Sequence, residues 1–246
     1  QKRMAIQWCA AVMDWLLFLV MFVVMYGAGE RGFTTTQCAW LGAAMQVTYM
    51  TASLALGFLL SSRNARRAVL TSIVLMPFIG TFAMKAQTFG LILAGVSAMG
   101  ITGAIFFNAF QTLMRAHAPV GSLMRTVGFY TVAWSSGAGF GFLTSGALYR
   151  LGTVALAALC LLAAAFIFVI VIRHREAPDA HTRDVPDQPS EEGGGRPVNP
   201  AYVWIGWITI FTVVFVQRPL QTFVPSMGAR EGISPFMTGL PLFIHM

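Results

Sequence analysis

Apolar residues in this chain come in long blocks, not in the alternating or three-to-four pattern of a half-buried surface. Seven such blocks cover 4–28, 37–60, 68–86, 89–113, 126–149, 153–172 and 201–222, and an eighth starts near the C-terminus and is cut short. A bilayer core of roughly 30 Å is spanned by about 20 residues of helix. Lipid offers nothing to unpaired backbone groups, so each block predicts a transmembrane helix. The connectors fit. Glu30-Arg31-Gly32 ends the first span, and Thr34, Thr35 and Thr36 offer N-cap oxygens to the second. Ser61 to Arg67 reads as a basic turn, and Arg150-Leu151-Gly152 turns the fifth span into the sixth. Residues 175–200 hold six of the nine acids, several prolines and Gly193-Gly194-Gly195, which predicts an aqueous linker.

Composition sharpens this picture. Hydrophobic types make up 57% and charged types 10%, with a mean hydropathy of +0.70. Soluble domains sit near ~45–50% and ~25%, so a soluble enzyme is excluded, and disorder is excluded for most of the chain. The net charge of +7 is spread without a basic face interleaved with stacking aromatics, which argues against nucleic acid. It is better explained by topology. With alternating spans, eleven Lys/Arg fall on the side of the N-terminus and the linker, and five on the other. The positive-inside rule then places the N-terminus in the cytoplasm. Asp14 interrupts the first span, which is too long for a signal-peptide core and lacks a small-residue cleavage site. Cys9, Cys38 and Cys160 are too far apart to suggest a metal site or a disulfide framework.

Six spans, a charged linker and further spans resemble the major facilitator superfamily. Three local features carry the likeness. The turn after the second span resembles that family's motif A: Gly57 matches its first glycine and Arg66 and Arg67 its basic end, while Ser61 and Ser62 replace Asp and Arg, and Asn64 replaces the second Gly. The fifth span resembles motif C through Gly137, Gly141 and Gly146, with Phe142 in place of Pro and Ser145 in place of Gly. Residues 219–240, with Pro225 and Gly232-Ile233-Ser234-Pro235, look like the loop from the seventh to the eighth helix. The resemblance implies an all-α polytopic bundle. Residues 1–174 would form a six-helix bundle of two inverted three-helix repeats, 175–200 a cytoplasmic linker, and 201–246 the start of a second bundle. It also implies a fragment whose C-terminal half is missing, lying in a bacterial cytoplasmic membrane. Gly57, Ser61, Arg66, Arg67, Gly137, Gly141 and Gly146 would then serve conformational change. Loss of the motif A carboxylate at Ser61 implies that the cytoplasmic side closes through hydroxyl hydrogen bonds or latches less firmly.

Candidate chemistry is sparse. Asp14 is the one acid inside the first six predicted spans, about ten residues and so roughly 15 Å deep. An ionised carboxylate there costs several kcal/mol unless paired, hydrated or protonated. Asp14 is therefore a proton-coupling candidate, a role that an Asp on the first helix has in sugar-type members of the family. A packing role is the alternative. Gln46 and Tyr49 on the second span are cavity candidates or interhelical hydrogen-bonders. Asn108 and Gln111 share a face near the end of the fourth span and either face a cavity or cap the cytoplasmic end, with capping preferred. Tyr130 and Trp134 form an aromatic shelf or a packing stripe. On the seventh span, Trp207 and Arg218 complete the set. Arg218 is read either as snorkelling at the outer interface or as a ligand for an acidic solute, and Pro219 favours a kink.

No HExxH-type pair, phosphate loop or dinucleotide fingerprint is present. The reading is thus a non-enzymatic secondary transporter of a small organic solute by alternating access, without cofactor or metal, partnered by lipid, solute and candidate protons. A polytopic sensor or assembly protein with a transporter-like fold is the alternative.

Overall fold

A computed structural model describes residues 2–117, 123–173, 208 and 218–245. The 175–200 segment, Trp207 and Gln217 lie outside the described residues. The elements are α1 (Lys2–Glu30), α2 (Thr35–Leu59), α3 (Ser62–Lys85), α4 (Phe89–His117), α5 (Leu123–Leu148), a 3-10 turn (Tyr149–Leu151), α6 (Gly152–Arg173), α7 (218–230) and α8 (Pro235–His245). No strand occurs among the described residues. Ile6–Glu30, Thr35–Leu59, Ser62–Lys85, Phe89–Arg115 and the run Arg125–Arg173 are long and apolar enough to cross a membrane. The last run makes two crossings, because Gly152 reverses the chain at φ 80°, a conformation open to glycine at no steric cost.

The first turn follows its sequence closely. Gly32 adopts φ 75° after α1, and its N–H donates to the Gly29 carbonyl while that of Phe33 donates to Ala28, a Schellman stop. Thr34 then caps α2. Its hydroxyl accepts from Gln37 N at 3.2 Å, and the Gln37 side chain accepts from Thr34 N at 2.9 Å.

Two boundaries differ from expectation. Ser61 to Arg67 is not a turn. Only Leu60 and Ser61 lie outside helices, and α3 begins at Ser62. The Asn64 side chain accepts from Ser61 N at 2.7 Å and donates to Leu59 O at 2.8 Å. It satisfies both chain ends at once, and the arginines that follow are good helix formers. Likewise 219–240 is not one loop. α7 runs through Pro225 to Arg230, only 231–234 turn, and α8 starts with Ser234 as N-cap and Pro235 at the first position. Hence Arg218 lies twelve residues before the end of α7, about 18 Å below it. It does not snorkel at the interface.

α1 is the central helix, buried along most of its length. Its main partner is α5, as that of α2 is α4; α3 packs on α4 and α6. Exchanging α1 with α4 and α2 with α5 turns the first pairing into the second, the relation expected of inverted three-helix repeats. Contacts fix the directions. At the Glu30 end of the bundle the Tyr149 hydroxyl meets the Glu30 carboxylate. At the Lys2 end Arg66 donates to Ile172 O at 2.9 Å, a cation on the C-terminal carbonyls of α6. Outward stripes such as Trp40, Val47, Met50, Leu54 and Phe58 on α2 leave apolar side chains exposed. Such a surface suits lipid, not water.

Candidate functional site

Midway along α1, Asp14 is 2% exposed. The α5 helix reaches it because small residues let the backbones touch. A Cβ on Gly137 would run into the Ala11 carbonyl, and one on Gly141 would lie 2.8 Å from the Phe18 Cβ. Trp15 adds an indole N–H bond to Thr144 at 2.8 Å. This close approach brings Trp134 of α5 beside Asp14. Among the described residues, Oδ2 of Asp14 has no hydrogen-bond partner.

From the opposite side, α7 brings Arg218. Its guanidinium lies over the Phe18 ring, 5.5 Å from the centroid, a cation–π arrangement. Nη1 donates to Gln221 Oε1 at 3.1 Å, and Nε is buried with no hydrogen-bond partner among the described residues. Arg218 and Asp14 lie within electrostatic reach of one another, and Tyr49 of α2 lies within reach of both. Tyr130 of α5 also senses Asp14 and Tyr49.

The fourth helix closes the ring. It continues to His117, so Asn108 and Gln111 do not cap it. Asn108 donates to Ser53 Oγ at 3.0 Å, and Gln111 to the Tyr130 hydroxyl at 3.2 Å. Gln111 and Tyr130 also line a cavity of about 230 Å³ with Met114, Arg115, Thr126, Val127 and Thr131. That cavity lies toward the Lys2 end, between the site and that face. Five helices therefore contribute Asp14, Tyr49, Asn108, Gln111, Tyr130, Trp134 and Arg218 to one neighbourhood. Gln46 is half-buried, three residues before Tyr49 on the same face. Its neighbour Thr48 instead ties α2 to α4 through Ser97 O at 3.0 Å.

The motif-like residues divide. Gly137 and Gly141 pack α5 on α1, whereas Gly146 packs it on α8, against the Pro235 carbonyl and Phe236. Gly239 of α8 returns the contact at Phe142 O. Arg66 holds α6, while Gly57, Ser61 and Arg67 are exposed, and nothing lies within 4 Å of a Cβ built on Gly57.

One feature escaped the sequence reading. The α7–α8 turn repeats the α1–α2 turn: Gly228-Ala229-Arg230-Glu231-Gly232-Ile233-Ser234 mirrors Ala28-Gly29-Glu30-Arg31-Gly32-Phe33-Thr34 with its charges exchanged. Gly232 has φ 70°, and the same pair of backbone bonds recurs. Self-comparison of the two segments would have revealed it. The turns grip each other reciprocally. Tyr26 donates to Ile233 O at 2.7 Å, and Arg230 donates to Phe33 O and, at 3.0 Å, to Thr35 Oγ1. Gly29 abuts Ser226, and Gly42 abuts Thr222. The Glu30 end between α1–α2 and α7 is thus sealed. Cys38 is buried in this seam beside Ser226 and Arg230. Combining Tyr26→Phe with Arg230→Ala removes these bonds. A membrane-impermeant maleimide should then label Cys38 on the order of ten times faster than in the parent, the effect of shifting a closed seam by ~1.4 kcal/mol. Unchanged labelling, read by peptide mass, would show that other contacts hold the seam.

A family model described as Major Facilitator Superfamily matches residues 4–246. No curated protein matches the chain. With nearly all of its length inside that match and its helices paired as inverted repeats, the chain belongs to the Major Facilitator Superfamily, whose members are membrane transporters.

Proposed function

We propose that the chain carries a small organic solute by alternating access, with Asp14 as the proton-coupling group. One observation supports this reading: Asp14 on α1 and Arg218 on α7 lie deep in the bundle within electrostatic reach of one another, across the seam between α1–α6 and α7–α8. Charges of opposite sign on two rocking bodies are attracted or separated as those bodies move, so their protonation and the conformation are linked. Tyr49, Tyr130, Trp134, Asn108 and Gln111 line the route, and Gln46 is assigned to its wall. The N-terminus and the 175–200 linker are placed in the cytoplasm by the Lys/Arg bias. The sealed Glu30 end is then external, and the cavity beside Gln111 and Tyr130 lies on the cytoplasmic side, as in an inward-facing carrier. Arg66, Arg67, Gly57 and Ser61 form the cytoplasmic hinge region, while Gly137 and Gly141 let α5 turn against α1 and Gly146 lets it turn against α8.

Asp14 faces Arg218 from α7, Tyr49 from α2, and Trp134 and Tyr130 from α5. Protonation removes its attraction for Arg218 and frees the two bodies to separate. In proteoliposomes, an imposed pH gradient is expected to drive solute flux by the parent protein. Asp14→Asn is expected to retain counterflow exchange while losing the response to the gradient. Gradient-driven flux that survives Asp14→Asn would remove Asp14 from coupling.

A further inference from the structure

We propose that the transported solute bears a carboxylate, that Arg218 receives it, and that Asp14 balances its charge. This rests on the transport reading and names the solute class for that site. Several of the uncharged polar groups around the site are already engaged: Asn108 with Ser53 and Ala104 O, Gln111 with Tyr130, and Thr48 with Ser97 O. A polyhydroxylated solute would have to break these bonds. Among the described residues, the buried side-chain polar atoms without a hydrogen bond are instead on the charged groups, Arg218 Nε and Asp14 Oδ2.

The guanidinium is also preorganised. Phe18 fixes its plane and Gln221 holds one Nη, leaving the Nε edge for a planar anion, the geometry in which Arg and carboxylate match best. Charge neutrality completes the assignment. The empty site holds one cation and one anion that attract each other. A solute carboxylate on Arg218 leaves Asp14 uncompensated in a low-dielectric setting, which is costly. Asp14 is relieved either by a proton or by an ammonium on the same solute. Phe18, Tyr49, Tyr130 and Trp134 offer aromatic surface to the solute body.

The test uses the full chain in detergent and in proteoliposomes, with four size-matched probes: 3-phenylpropionate, phenylalanine, phenylalaninamide and 3-phenylpropanol. Binding is read by thermal shift and by displacement. The two carboxylates are expected to bind, and the amide and the alcohol are not. Arg218→Lys should weaken both carboxylates about 10- to 100-fold, the range for losing a charge-assisted contact. The double variant Asp14→Asn/Arg218→Gln removes both charges, keeps a folded core and should bind neither. Asp14→Asn should keep 3-phenylpropionate but lose phenylalanine if ammonium relieves Asp14, and should merely lose the pH dependence of 3-phenylpropionate binding if a proton does. Equal binding of the alcohol or the amide, carboxylate binding that survives the double variant, or binding of none of the four would overturn the assignment. Flux of uncharged solutes through the same liposomes, with no carboxylate binding, would leave transport standing and sink the carboxylate alone.

Discussion

Gly137→Val is expected to melt well below the parent protein. The nearest atoms to a side chain at this position are the Ala11 carbonyl oxygen, carbonyl carbon and Cα. These are backbone atoms of a buried helix and cannot swing aside as a side chain can. Relief requires α5 to move away from α1, which strips contacts from Trp15, Phe18 and Phe142 together. Phe18 and Phe142 pack ring to ring at 5.0 Å, so the loss spreads beyond one residue. Overpacking a core typically costs about 1–3 kcal/mol and more where backbone must shift, or a melting temperature lower by roughly 5–10 °C in a chain of this size. Gly57→Ala and Gly128→Ala are the controls. Nothing lies within 4 Å of a Cβ at either position, and alanine is the better helix former by about 1 kcal/mol. Both should melt at or above the parent temperature. A Gly137→Val protein that melts with these controls would refute the packing assigned to α1 and α5.

Arg218→Gln should destabilise the protein more than the double variant Asp14→Asn/Arg218→Gln does. Removing one partner of a buried charge pair costs about 3–5 kcal/mol, whereas replacing both by neutral groups is often neutral or stabilising. The loss in the single variant should shrink as pH falls, because a protonated Asp14 no longer needs its counter-charge. Melting curves of the parent, both single variants and the double variant at two pH values close the cycle. A coupling energy near zero would mean that Arg218 and Asp14 act independently, which would undo the linkage on which the proposed transport cycle depends.

How much was legible before the fold was known differs from residue to residue. The capping of α2 by Thr34, the start of α8 at Pro235 and the stops at Gly32 and Gly152 follow from local chemistry, since a cap or a positive φ involves only a few neighbours. The start of α3 was misread because a run of serine and arginine looks like a solvated turn. One Asn side chain, satisfying both chain ends, is enough to make it helical. The depth of Arg218 was misread for a related reason. A proline beside an arginine looks like a helix end, but with the chain continuing as helix to Arg230 the same arginine lies well inside the bundle. Asn108 and Gln111 looked like caps because their partners, Ser53 and Tyr130, are remote in sequence.

What the amino acids determined alone was the class of structure. Blocks of apolar residues of bilayer length can be satisfied only as helices in lipid, and the excess of Lys/Arg on one side of the alternation predicts which way they point. Which side chains share the interior was decided by helix packing. Asp14 and Arg218 are separated by most of the chain, and their shared neighbourhood depends on glycines that let α5 touch α1 and on a mirrored pair of turns that clasps α7 to α2. Contacts of that range are set by the geometry of the whole assembly, and no local pattern encodes them.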